Sequence, residues 1–152
     1  MKPKFIHAYM EVAKTFANLS TAKRLQVGAI VVKDDRIISI GYNGMPGGWD
    51  NECEDIVLDV VGVAKDGNDI VRPRLKSKPE VLHAEMNALM KLAKSNESGD
   101  QSAMFITHAP CLNCAKGIYQ AGIKEVYYAT EYRERDGIEF LEKCKIKIVK
   151  VD

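Results

Sequence analysis

Phe5, Ile6, Tyr9, Val12, Ala13 and Phe16 recur at helical spacing, so Lys4 to Leu19 reads as an amphipathic helix ending near Asn18-Leu19-Ser20-Thr21. The period then changes. Gln26 to Lys33 is an apolar, β-branched run, Asp34-Asp35 is a turn, and Arg36 to Tyr42 is a second strand, together a hairpin. Asn43 to Gly48 is a loop by composition. Ile56 to Ala64 is apolar enough for a short helix, closed by Asp66-Gly67-Asn68-Asp69, and Arg72 to Pro79 reads as a basic loop. From Pro79 a helical stripe returns through Leu82, Met86, Leu89 and Ala93, with Pro79 in its first turn. Lys94 to Gln101 is a polar loop. Ala103 to Thr107 is a strand, and a helix follows Pro110 through Gln120 with Gly122 as its cap. Glu125 to Thr130 is a strand, Asp136 to Cys144 a helix and Ile146 to Val151 a last strand. Strands alternating with helices of this length predict one α/β domain, a sheet covered by helices.

Composition narrows the class. The 152 residues suit one core, and 46% hydrophobic with 28% charged residues excludes a disordered chain. Lys and Arg number 22 against 21 Asp and Glu, a net charge of +1, which argues against a grip on a long polynucleotide. No apolar run approaches the roughly 20 residues of a membrane span, and the start lacks a signal-peptide core. The expectation is a soluble, cytoplasmic protein.

Four cysteines, Cys53, Cys111, Cys114 and Cys144, are too few for a disulfide scaffold here. Cys111 and Cys114, three apart at a helix start, leave one face, where the positive end of the helix favours thiolates. Zinc binding and thiol exchange both use that arrangement. A catalytic zinc needs a third ligand and an open position. His83-Ala84-Glu85 begins the other strongly patterned helix in this half of the chain. Glu85 lies about 60° from the centre of its apolar stripe, so it points inward and needs a partner or a task. His83 and Glu85 converge only where a helix begins, which places the site at two helix N-termini.

His-x-Glu followed by Pro-Cys-x-x-Cys, here His83 to Glu85 and Pro110 to Cys114, is the signature of zinc nucleobase deaminases. With Gln26 to Val32, Gly41-Tyr42-Asn43-Gly44-Met45-Pro46, Thr107-His108-Ala109 and Gln120 to Lys124, the chain resembles the deoxycytidylate (dCMP) deaminase family of the cytidine deaminase superfamily, from about Ser20 to Tyr132. The resemblance implies a three-layer α/β/α cytidine-deaminase-like fold with a central mixed sheet of about five strands, as one domain over residues 1–152. It implies one Zn2+ held by His83, Cys111 and Cys114, with Glu85 as the catalytic proton carrier in hydrolysis of dCMP to dUMP. Asn43, Tyr132 and Arg24 become substrate-binding candidates. Arg24, Tyr42 and Gly44 become candidate contacts for dCTP and dTTP effectors with Mg2+, in a homo-oligomer such as a hexamer. Some relatives carry a second zinc; with only Cys53 between Asn43 and His83, and Ala22 where cysteine can stand, one ion per chain is expected. Free cytidine, tRNA adenosine and thiol oxidoreduction are the competing chemistries.

Overall fold

A computed structural model describes residues 1–151. Its elements run α1 (Pro3–Ala17), β1 (Gly28–Lys33), β2 (Arg36–Tyr42), β3 (Glu54–Val63), β4 (Asp69–Ser77), α2 (Ala84–Ala93), β5 (Ala103–His108), α3 (Leu112–Gln120), β6 (Glu125–Thr130), α4 (Asp136–Lys143) and β7 (Lys147–Lys150). Five strands form a sheet in the order β2-β1-β5-β6-β7. It is mixed: β1 runs antiparallel to β2 and β5, while β5, β6 and β7 are mutually parallel.

Alternation along β1 explains the layers. Ile30 and Val32 join Met10 and Ala13 of α1, Phe105 and Tyr127 on one face, where the last two rings stack at 4.7 Å. Ala29 and Val31 join Ala88 and Leu89 of α2 and Ile118 of α3 on the other. A sheet covered on both faces buries successive residues, which is why β1 and β5 read as continuous apolar runs. The Asp34-Asp35 turn has φ of 50° and 58°, the left-handed pair of a two-residue hairpin turn that matches strand twist.

Three expectations are corrected. Ile56 to Ala64 forms no helix: Glu54–Val63 is a ten-residue strand. Arg72 to Ser77 is no loop but part of β4, paired antiparallel with β3 in a separate two-stranded sheet. Cross-strand pairing, from Val63 with Asp69 at the turn to Glu54 with Ser77 at the base, decides both. Pro79 lies outside its helix, which begins at Ala84 with His83 as N-cap. Val81 turns back on Lys78, and Leu82 exchanges two backbone hydrogen bonds with Gly44 before the helix can start.

Helix α2 is seated closely on β2. Ser39 Oγ donates to Ala88 O, Asn87 Nδ2 to Tyr42 O and Lys91 Nζ to Ile40 O, at 2.6, 2.7 and 2.9 Å. The approach requires Gly41, since a Cβ there would lie 2.1 Å from Ala84 O and 2.6 Å from Ala88 N. Backbone cannot yield as a side chain can. Gly41→Ala is expected to destabilise the fold by about 1–3 kcal/mol, the range for overpacking, read as a lower urea midpoint. An unchanged midpoint would refute this account of the seat.

Candidate active site

Two helix starts carry the chemistry. His83 is the N-cap of α2 and Cys111 the N-cap of α3, both with extended backbone and neither forming a side-chain cap. The first amides and the positive ends of both helices therefore face the site rather than their own caps. Glu85 is the second residue of α2 and Cys114 the third of α3. Helix α4 fixes the second start: a Cβ on Gly137 would lie 2.0 Å from Pro110 O, and Ala109 N donates to Thr130 O at 2.8 Å.

His83 Nδ1 lies 3.7 Å from Cys111 Sγ and 3.4 Å from Cys114 Sγ, and the three ligand atoms fall within 4.8 Å of one another. Tetrahedral zinc with Zn–S near 2.3 Å and Zn–N near 2.0 Å separates sulfur from nitrogen by about 3.5 Å. The donor set and its spacing fit that ion. Its neighbours are polarised accordingly. The hydrogen bond from Cys114, then that with His83, pushes the Cys111 thiol down to about 3. Cys114, hydrogen-bonded to Cys111 and buried beside Glu85, is pushed up. His83 is raised by its hydrogen bond to Cys111. Two thiols and an imidazole this close share protons until a cation displaces them.

Glu85 is 4% exposed, and burial raises its pKa above the ordinary carboxylate range, against the opposing pull of its own backbone amide and of His83. A carboxyl group moved toward neutrality is suited to taking up and giving back a proton. It opens onto a cavity of about 140 Å3. The expected residues Arg24, Asn43, Tyr132, His83, Glu85 and Cys111 line it together. Tyr42 and Gly44 do not: Tyr42 O accepts from Asn87, and Gly44 pairs with Leu82.

Asn43 has a structural task. Its Oδ1 accepts from Val27 N and its Nδ2 donates to Leu25 O, both at 2.8 Å, holding the cavity wall formed by Leu25 and Val27. One amide hydrogen and one lone pair remain for a ligand. Arg24 Nη1 donates to Ser77 Oγ at 3.2 Å, and its backbone amide donates to Glu54 at 3.0 Å. Sequence reasoning missed Ser77, Val81, Glu54 and the wall position of His108. His108 carried a signal in its closeness to Pro110. Its Nδ1 lies 3.1 Å from Thr107 Oγ1, which accepts from Gly28 N, and burial lowers its pKa. Ser77 and Glu54 carried none, because the hairpin that delivers them was not read.

Residues 3–130 match the family described as the cytidine and deoxycytidylate deaminase zinc-binding region. The chain belongs to this family. It is 34% identical over 145 residues to ComE operon protein 2 of Bacillus subtilis, covering 95% of this chain and 69% of that protein. It is 39% identical over 131 residues to human deoxycytidylate deaminase, covering 84% of this chain and 66% of that protein. The chain thus spans about two thirds of the length of these curated relatives. The solved dCMP deaminase of cyanophage S-TIM5, in complex with dCMP and dUMP, is 45% identical with a TM-score of 0.83 over 99% of both chains. The five-stranded mixed sheet between helices is therefore the fold the family resemblance implied. Among the described residues no helix is long and apolar enough to cross a membrane.

His83→Ala removes one of the three donors of this cluster. Zinc measured by plasma mass spectrometry is expected to fall from one ion per chain to a small fraction, with a lower unfolding midpoint because metal affinity is folding free energy. Full retention of zinc would contradict the ligand assignment, and two ions in the unaltered chain would contradict the expectation of one zinc per chain.

Proposed function

We propose that this chain hydrolyses dCMP to dUMP and ammonia, using one zinc ion held by His83, Cys111 and Cys114. The observation that carries the reading is Glu85, a buried carboxyl group of raised pKa beside that ligand cluster and at the wall of a cavity. Similarity to the cyanophage enzyme, solved with dCMP and dUMP, supports the substrate.

When bound, zinc supplies Lewis acidity that lowers the pKa of water from about 15.7 to roughly 7, on the order of 12 kcal/mol toward a nucleophile at neutral pH. The chain's own residues do the rest. Glu85 accepts the proton that water releases as it attacks C4 and delivers it to the ring nitrogen N3. It then carries the remaining hydroxyl proton from C4 to the amine, which leaves as ammonia as the C4 carbonyl forms. Asn43 offers its remaining amide hydrogen to the deoxyribose, and Tyr132 packs against the base. Arg24, steadied by Ser77 and exposed at the cavity, meets the 5′-phosphate with charge-assisted hydrogen bonds.

The family resemblance extends this reading to a cytoplasmic homo-oligomer such as a hexamer, activated by dCTP and inhibited by dTTP with Mg2+, with Arg24, Tyr42 and Gly44 as effector contacts. Its product would feed thymidylate synthesis.

The loss of cytosine ultraviolet absorbance follows the reaction directly. dCMP is expected to be consumed with far higher kcat/KM than deoxycytidine or CMP. Arg24→Ala is expected to raise KM for dCMP about 10–100-fold, the equivalent of a lost charge-assisted hydrogen bond, while leaving deoxycytidine turnover unchanged. Equal loss on both substrates would remove Arg24 from phosphate binding, and inertness toward dCMP would refute the reaction.

A further inference from the structure

The β3–β4 hairpin stands apart from the layered core. Its base is anchored: the Glu54 carboxylate accepts from Lys23 N and Arg24 N, Lys78 N donates to Cys53 O, and Thr21 Oγ1 lies 3.6 Å from Cys53 Sγ. Beyond the base, no other helix or strand among the described residues packs along the ribbon.

Its register sorts the side chains by chemistry. Ile56 faces Leu75, Leu58 faces Pro73, and Val60 faces Val71. Directly opposed residues share a face, so these six form one apolar strip. The intervening pairs, Asp55 with Lys76, Val57 with Arg74 and Asp59 with Arg72, form the other face. There Arg74 Nη2 donates to Asp59 at 3.1 Å, closing the charge locally. The strip lies in water, with Ile56 73%, Leu58 65% and Val60 60% exposed. A two-stranded ribbon without a covered face is marginally stable, and a contiguous apolar strip marks an interaction surface.

Both edges carry features that blunt strand addition. Pro73 has no N–H to offer from β4, and β3 is bulged between Val60 and Gly62. Association through this ribbon therefore uses the face.

We propose that the strip is a contact between two copies of this chain, their hairpins packed face to face about a twofold axis near the Leu58–Pro73 pair. Side chains this exposed each present on the order of 100 Å2. Two strips together thus remove on the order of 1,200 Å2 from water, the lower bound for a stable specific interface. The strip carries no charge for a partner to match, and an uncharged, continuous apolar surface finds its complement in itself across a twofold axis. The contact rests on the packing of the hairpin and not on the chemistry of the cavity, so its failure and the failure of the deaminase reading are separate results.

Sedimentation velocity on the full zinc-loaded chain at micromolar concentration tests it. The unaltered chain is expected to sediment as two copies or a multiple of two. Leu58→Glu and Leu58→Lys each halve that mass or reduce it further, with zinc content unchanged as the measure of folding. Mixing the two variants restores the assembly, because the substituted positions meet near the axis. Lys76→Glu, on the opposite face, leaves the mass as it was. Should Leu58→Glu lower zinc retention, Val60→Lys reads the same contact. An unaltered chain that sediments as a monomer overturns the proposal. So do strip variants of unaltered mass, and oppositely charged variants that fail to reassociate.

Discussion

Two helix N-termini, one at His83 and one at Cys111, are held so close that three ligand atoms fall within 4.8 Å of one another. Every other part of the site depends on that meeting. An approach this close excludes ordinary side chains at the points of contact. Gly41 admits the backbone of α2 at Ala84 and Ala88, and Gly137 admits Pro110 at the start of α3. Both glycines are required by neighbouring backbone atoms rather than by their own dihedral angles. The sheet supplies the frame, since α2 is fastened to β2 and Cys111 follows the end of β5.

The electrostatics follow from the same geometry. Positive helix ends and a cation favour thiolates, whereas burial opposes charge on Glu85. One small volume thus contains groups driven in opposite directions: Cys111 toward the anion, and Cys114 and Glu85 toward the neutral acid. The proposed roles, metal binding by His83, Cys111 and Cys114 and proton carriage by Glu85, stay distinct although Glu85 stands only two residues from His83. The cavity wall depends on polar clamps of the same kind. Asn43 spends half of its side-chain hydrogen-bonding capacity on Val27 and Leu25, so the substrate contact proposed for it is inseparable from wall geometry.

The site was legible where chemistry is encoded at short range. His83 with Glu85, and Cys111 with Cys114, each specify a helix start within a few residues, and the structure brings the two starts together. Continuous burial in β1 and β5 was readable as unbroken apolar runs, because both faces of the sheet are covered. The hairpin was not. Ile56, Leu58 and Val60 alternate correctly for a strand, but Val57 and Val61 fill the gaps and imitate a helical stripe. On the partner strand, Pro73 among Arg72, Arg74 and Lys76 imitates a loop. Only the pairing of Asp59 with Arg72 and Val60 with Val71 resolves both, and neither run shows that pairing on its own. The same blind spot hid Ser77 and Glu54, which steady Arg24. Pro79 suggested an early helix start because its fixed φ suits a first turn. The bridge between Gly44 and Leu82 instead holds the chain extended up to His83.

In the proposed reaction Glu85 carries protons and takes no part in holding the metal. Parallel measurement of zinc content and dCMP turnover in Glu85→Gln tests this directly, since the amide keeps the shape and removes the exchangeable proton. The expected result is one zinc per chain with turnover reduced by about 10^2–10^4-fold, the usual range for general acid–base catalysis. A variant that retains zinc and turns over dCMP within a few-fold of the unaltered chain would contradict the mechanism.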